Sequence, residues 1–200
     1  MMFERFTKDA RTLVTTAVHD AEADGAARVD TLHLLTAALD PTGTAGSTGA
    51  LALLAALDVT PAEVAGGVDE LRRHGGLSDT DRRALGDLGI DVDTIVARVE
   101  DRHGAGALAD GPEGSTEPGA RSSRGRRTRN RWHMPFGDDA KRVLRASLRQ
   151  ALDVRDNDIG SEHMLQALAA VPGPAADVLA AAGVSAERLR GALLQRRRAA

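Results

Sequence analysis

Few side chains in this sequence can do chemistry, and most reaction classes fall away on residue types alone. The 200 residues include no cysteine, so thiolate nucleophiles, disulfides and Cys-ligated zinc or iron–sulfur centres are excluded. Among the six histidines there is no H-E-x-x-H pair. His33 and His163 occupy equivalent places 130 residues apart, lack the companion donors a metal needs, and are expected to be buried, hydrogen-bonded structural residues. His19, His74, His103 and His133 read as surface or linker positions. No serine sits in a G-x-S-x-G elbow and no carboxylate pair has acid/base spacing, so a hydrolase has no residues to build on. No G-x-x-x-x-G-K-[S/T] phosphate loop occurs, and neither lysine, Lys8 or Lys141, follows a glycine, so nucleotide hydrolysis is not expected. The expectation is a non-enzyme without metal or cofactor.

What remains is recognition chemistry. Glu162, between Ser161 and His163, offers a carboxylate either to a guanidinium or to the N-terminus of its own predicted helix, where an acid contributes about 0.3–1 kcal/mol. The tract RSSRGRRTRNR holds Arg121, Arg124, Arg126, Arg127, Arg129 and Arg131 without an acid. Six such cations can neutralise phosphates and bind nucleic acid in a salt-sensitive way. Yet the tract lacks interleaved aromatics, with Trp132 the nearby stacking candidate. Residues 1–103, with ten basic and eighteen acidic side chains, offer it an internal partner. A solvated or self-shielded linker is therefore preferred, and nucleic-acid binding is the second reading.

The elements that must hold these residues are helices. Aromatics make up 2% of the chain, tyrosine is absent, and the 42% hydrophobic content is mostly Ala and Leu, which suits helix packing better than sheets. The chain also repeats itself. Phe6 to Leu35 aligns without gaps to Phe136 to Leu165, displaced by 130 residues. In the first copy Ala10, Leu13, Val14, Ala17, Val18 and Ala21 form an amphipathic stripe; Ala140, Val143, Leu144, Ser147, Leu148 and Ala151 repeat it. Thr7 is the expected N-cap of the first helix, with Gly137 in its place in copy two. Thr31 and Ser161 are expected to cap the second helix of each copy. A third helix is expected over Ala50 to Leu57 and over Ala175 to Ala182. A fourth opens with Thr60-Pro61-Ala62-Glu63, a capping-box pattern, and with Ser185 in copy two.

A half-copy follows at Leu85, Leu88, Ile90 and Ile95, which keep the spacing of Leu54, Leu57, Val59 and Val64. It is expected to be an appended hairpin with Asp91 as N-cap and Ile95, Val96 and Val99 as its buried side. Residues 104–131 show no apolar periodicity and read as a flexible linker; Asp40 to Gly49 reads as a mobile loop. The expected division is 1–75 for repeat one, 76–103 for the hairpin, 104–133 for the linker and 134–197 for repeat two. The start, MMFERFTKDAR, has no signal-peptide core and no later run is long and apolar enough to span a bilayer, so a cytoplasmic protein is expected. The bias of 24 arginines to two lysines points to a GC-rich bacterial genome.

These residues carry a family resemblance. The pattern F-T-x-x-A-(K/R)-x-x-(L/V), a later G-T-E-H-L-L-like segment and an L-G-V-like turn before a capped helix resemble the N-terminal double repeat of Clp-family ATPases. MMFERFTKDAR and MPFGDDAKRVL are similar to the ClpC-type branch in particular, and the likeness covers residues 3–70 and 134–195. It implies an all-α fold of two pseudo-symmetric four-helix repeats packed as one double domain. It also implies a stand-alone, non-catalytic module without the ATPase, binding Clp ATPase, adaptor or substrate polypeptides. By the same resemblance, Glu162 with Ser161 and Thr31 would hold phosphoarginine marks; copy one has Leu32 where copy two has Glu162, so at most one such site is expected. Asp156 and Asp158 add charge that opposes a phosphate. Phe3 and Phe136 match the positions through which relatives bind hydrophobic cyclic peptides, which would allow a decoy role. Phe6 is expected in the core.

Overall fold

The computed structural model describes residues 2–40, 48–104, 106–108 and 134–199. The tract Arg121–Arg131, Trp132, His133, most of the expected linker and most of the loop after Asp40 lie outside these residues. Among the described residues a 3-10 turn over Met2–Arg5 leads into ten helices: α1 (Lys8–Ala23), α2 (Thr31–Ala38), α3 (Thr48–Ala55), α4 (Pro61–Arg73), α5 (Asp79–Asp87), α6 (Val92–His103), α7 (Asp138–Asp153), α8 (Ser161–Ala170), α9 (Pro174–Ala181) and α10 (Ala186–Ala199). The fold is all-α. The chain's first four helices form one repeat and its last four the other.

Each copy's first helix buries the same stripe. Ala10, Leu13, Val14, Ala17 and Ala21 are buried on α1, and Ala140, Val143, Leu144, Ser147 and Ala151 on α7. Thr7 Oγ1 accepts the Ala10 N–H at 3.1 Å. Gly137 makes no side-chain cap, and Asp138 and Asp139 in the first turn of α7 supply the negative charge that the N-terminus favours. At α4 the capping box is complete: Thr60 Oγ1 accepts the Glu63 N–H at 3.3 Å, and the Glu63 carboxylate accepts the Thr60 N–H at 2.7 Å. That backbone hydrogen bond, with the Thr60 hydroxyl, holds the Glu63 carboxyl below its ordinary range.

The second helices are capped differently from expectation. The N-caps are Asp30 and Gly160, one residue before Thr31 and Ser161. Asp30 Oδ1 accepts the His33 N–H at 2.9 Å, and a carboxylate does this better than the Thr31 hydroxyl one position later. Burial raises the Asp30 carboxyl, but its hydrogen bonds to the His33 side chain and backbone prevail and hold it below the usual range. His163 closes the reciprocal half, Nδ1 accepting the Gly160 N–H at 3.0 Å, whereas His33 Nδ1 is 2.7 Å from Asp30 Oδ1, to which it donates, and 3.2 Å from the Asp30 N. Both rings are buried, so they take the structural role expected of them.

The two repeats interlock rather than sit side by side. Phe6 pairs with Ile159 and Val29 with Phe136 in isolated parallel bridges. Thr7 N–H donates to Ile159 O at 3.0 Å and Ile159 N–H to Arg5 O at 2.7 Å; Val29 N–H donates to Pro135 O at 2.9 Å and Gly137 N–H to Val29 O at 2.8 Å. Each repeat's entry segment is thus hydrogen-bonded into the other's α–α loop. Helix packing is reciprocal too: α3 lies on α8 and α9 on α2, while α4 meets α9 and α10 meets α3. Phe6, Leu34, Leu35, Leu53, Leu54, Ile159, Met164, Leu165, Leu168, Leu179 and Leu189 share one continuous core.

The α5–α6 hairpin is present and Val96 is buried as expected, but α6 is rotated away from the expected side. Val92 and Val96 are the buried residues of α6, whereas Ile95, Ile90 and Leu88 are exposed. Beside this side lies the exposed Asp93, whose carboxylate reaches His74 Nε2 at 3.0 Å and Nη2 of Arg82 on α5 at 2.8 Å. His74 itself is buried at the end of α4, its Nδ1 2.8 Å from Glu70 O, and is not the surface residue expected. Polar contacts from α6 to the end of α4, Asp93 to His74 and Glu100 to Arg73, accompany this orientation.

Backbone geometry separates the copies at two turns. Asp58 and Arg155 have positive φ, +56° and +60°; at the corresponding turns the other copies place Gly89 (+79°) and Gly183 (+72°), and Gly25 (+69°). A left-handed residue with a Cβ costs about 1–2 kcal/mol, partly offset by the greater freedom glycine loses on folding. Arg155→Gly is therefore expected to stabilise the chain by about 0.5–1 kcal/mol, a rise of about 1–4 °C in Tm by calorimetry. Asp58→Gly should gain less, because aspartate tolerates this conformation.

Among the described residues no single helix is long and apolar enough to cross a membrane. Joined, α8 and α9 would pass on composition, but they bend by 95° and α8 is the central core helix.

Candidate peptide-binding site

The residues around Glu162 lie where the two repeats join. Ser161 opens α8 and is buried. Its Oγ accepts the backbone N–H groups of Gly49 at 3.1 Å and Ala50 at 3.2 Å. The hydroxyl of one repeat therefore caps α3 of the other, satisfying two of the amides that a helix start leaves open. Ser161 is thereby a joining residue, and its lone pairs are committed.

Glu162 lies over the same corner. A Cβ added at Gly49 or at Gly160 would run into its carboxylate, so both glycines are needed for the acid to settle there. The carboxylate faces the first turns of α3 and α8 together, where helix dipoles favour negative charge. Its side chain remains 25% exposed, enough to accept a guanidinium from outside.

His163 lies beneath. With Nδ1 accepting the Gly160 N–H, the neutral ring carries its proton on Nε2. Asp156 Oδ2 is 3.0 Å from Nε2 but off the N–H direction, so this is an electrostatic contact rather than an aligned hydrogen bond. Burial pushes the imidazolium below its ordinary range, against the opposing pull of Glu162. Asp156 is also ion-paired to Arg197, whose Nη1 donates to Val154 O at 2.7 Å. Asp156, Glu162 and His163 could offer ligand atoms within 4.8 Å of one another. A cation there would have to displace the Nε2 proton, give up the Gly160 hydrogen bond and compete with Arg197, so the donor set suits a metal poorly.

The mirror position in repeat one is not equivalent. Thr31 and Leu32 are buried, and α9, which faces α2, opens on Pro174 after Gly173 with no side-chain cap. Proline has no N–H to donate, so a hydroxyl at Thr31 has less to cap. Phe136 is half-buried against the core and its backbone bridges Val29. The Phe3 side chain lies outside the described residues. Among the described residues, the polar contacts of Ser161 and Glu162 lead to Gly49, Ala50 and His163, not to Thr31 or Phe136. The expected set therefore divides into a Glu162 corner and a separate Phe136 edge. Gly49 and Arg197 were not legible as site residues: Gly49 acts across 112 residues of sequence, and Arg197 sits in a run of arginines, Arg196 to Arg198, that resembles a solvated helix end.

Two four-helix units interlocked through reciprocal bridges define a helical repeat-pair protein with a partly exposed acidic corner at the joint. Residues 135–197 match the family model described as "Clp repeat (R) N-terminal domain". The chain is also similar to a crystal structure of the N-terminal domain of the caseinolytic protease associated chaperone ClpD from Arabidopsis thaliana: 23% identity, 99% of this chain and 97% of that one covered, TM-score 0.48.

Proposed function

We propose that this chain is a non-catalytic polypeptide-binding module of the Clp proteolysis system, of ClpC type, acting in the cytoplasm as an adaptor, regulator or decoy. The observation that carries the reading is the Clp repeat match over residues 135–197, together with a first copy that keeps its apolar positions and interlocks with it. Residues 1–75 and 134–197 act in this reading as the two halves of one binding unit, with 76–103 appended and 104–133 connecting. Its partners are Clp ATPases, their adaptors or their substrates, including polypeptides marked with phosphoarginine. The Glu162 corner receives the guanidinium and the half-buried Phe136 edge, with Phe3, receives hydrophobic cyclic peptides.

The test is calorimetry with a phosphoarginine peptide and a hydrophobic cyclic peptide, alongside a pull-down with a Clp ATPase. The expected result is binding of at least one ligand at about 1–50 µM, roughly 6–8 kcal/mol. No heat with either ligand and no Clp subunit recovered would sink the reading.

A further inference from the structure

The hairpin α5–α6 is a third copy of a motif the chain uses twice more, and among the described residues this copy alone leaves its apolar side exposed. In repeat one the apolar set is Leu54, Leu57, Val59, Val64 and Val68; in repeat two it is Leu179, Ala182, Val184, Leu189 and Leu193. All are buried or packed against the core. Their counterparts in the hairpin are Leu85, Leu88, Ile90, Ile95 and Val99, of which Leu88 is 77%, Ile95 47% and Ile90 40% exposed. Val64 and Leu189, which correspond to Ile95, are fully buried.

The first two hairpins are covered partly by α2 and α8 and partly by each other. Helix α4 of the first hairpin lies on α9 of the second, and α10 of the second lies on α3 of the first. The approach is close: a Cβ at Gly67 would come within 3.0 Å of Val178 Cγ1. This arrangement is reciprocal, with the third helix of one repeat against the fourth of the other. It is therefore the pattern that two identical hairpins satisfy about a twofold axis.

We propose that α5–α6 is a self-association surface, through which two copies of the chain pair about a twofold with α5 of one against α6 of its partner over Leu88, Ile90 and Ile95. The rim suits a second copy. Among the described residues, the exposed charges of the hairpin without an ion-pair partner are Arg83, Arg98 and Arg102 against Asp81, Asp87, Asp91 and Asp101. Cations and anions thus nearly balance, so one face meets its own copy with little net repulsion. The hairpin is tied to the end of α4 by Asp93 to His74 and Glu100 to Arg73, so the apolar side is presented without refolding. Two short helices per protomer place the interface near the low end for specific association, about 1,200 Å² in total, and the dimer in the micromolar range.

The experiment is sedimentation equilibrium of the full chain from about 5 to 300 µM, with the double variant Leu88→Asp, Ile95→Asp beside it. The expected result is concentration-dependent dimerisation, weakened at least about tenfold in the variant with unchanged far-UV circular dichroism, because both side chains are exposed. A chain that stays monomeric throughout overturns the proposal and leaves the face to a different protein. A dimer indifferent to the double variant overturns it as well. Pairing geometry is read from two single-cysteine proteins, Leu88→Cys and Ile95→Cys, mixed and oxidised. A disulfide formed preferentially between the two kinds supports α5 on α6, and one formed only between like positions refutes that pairing.

Discussion

Leu165→Ala is expected to destabilise the chain by about 2–5 kcal/mol and to lower the melting temperature of both repeats together, in a single unfolding transition. Leu165 is fully buried on α8, and α8 touches α7 and α9 of its own repeat, α3 of the other, and α2 across the joint. Removing its side chain opens a cavity in a core that belongs to neither repeat alone. Leu35→Ala, at the matching place on α2 and equally buried, should give a similar loss and again one transition. Reciprocal bridges tie each entry segment to the opposite repeat, so neither half keeps its hydrogen bonds if the other melts. For a chain of this size the loss corresponds to about 5–15 °C. Calorimetry and far-UV circular dichroism check it. Two resolved transitions, each moved by only one of the substitutions, would show that the repeats fold independently and that the interlock contributes little.

The repeat was legible because both copies keep their apolar stripe. Ala10 to Ala21 and Ala140 to Ala151 bury on one face whatever stands opposite, so periodicity alone located α1 and α7. Local capping was legible where donor and acceptor are three residues apart, as at Thr7 and at Thr60 with Glu63. It failed at Thr31 and Ser161 because the competing cap was a residue earlier and because the Ser161 hydroxyl is directed to α3, over one hundred residues away in sequence. The hairpin shows another boundary of pattern reading. Its apolar spacing was recognised correctly, but spacing does not say which side meets the body. Contacts to α4 from distant sequence, such as Asp93 to His74 and Glu100 to Arg73, go with a packing that has Val92 and Val96 inside and Ile95 outside. The Glu162 corner was visible only as one residue. Gly49, which leaves room for its carboxylate, has no local signature, since a glycine after a Gly- and Thr-rich loop reads as more loop.

Glu162→Gln is expected to weaken binding of a guanidinium-bearing ligand by about tenfold or more while leaving the fold intact. A charge-assisted hydrogen bond contributes about 1.5–3 kcal/mol, and partial exposure of the carboxylate places it at the lower end, so about tenfold to thirtyfold is the expected loss. The amide keeps the size of the acid and still lies over Gly49 and Gly160, so loss of packing does not explain such a change. The phosphoryl group of a phosphoarginine ligand meets a different constraint. Asp156 would repel it, but Arg197 is paired to that carboxylate and removes most of its field. Arg197→Ala should therefore weaken a phosphoarginine peptide more than its unphosphorylated arginine counterpart, whereas Glu162→Gln should weaken both. Leu32→Glu should not create a second site, because Leu32 is buried and the facing helix opens on Pro174 with one amide fewer to hold a carboxylate. Calorimetry on the four proteins with the two peptides reads all of this directly. Equal affinity of wild type and Glu162→Gln, within about a factor of two, would mean that the carboxylate serves only the helix N-termini around it and that the ligand is held elsewhere, with the Phe136 edge the next place to look.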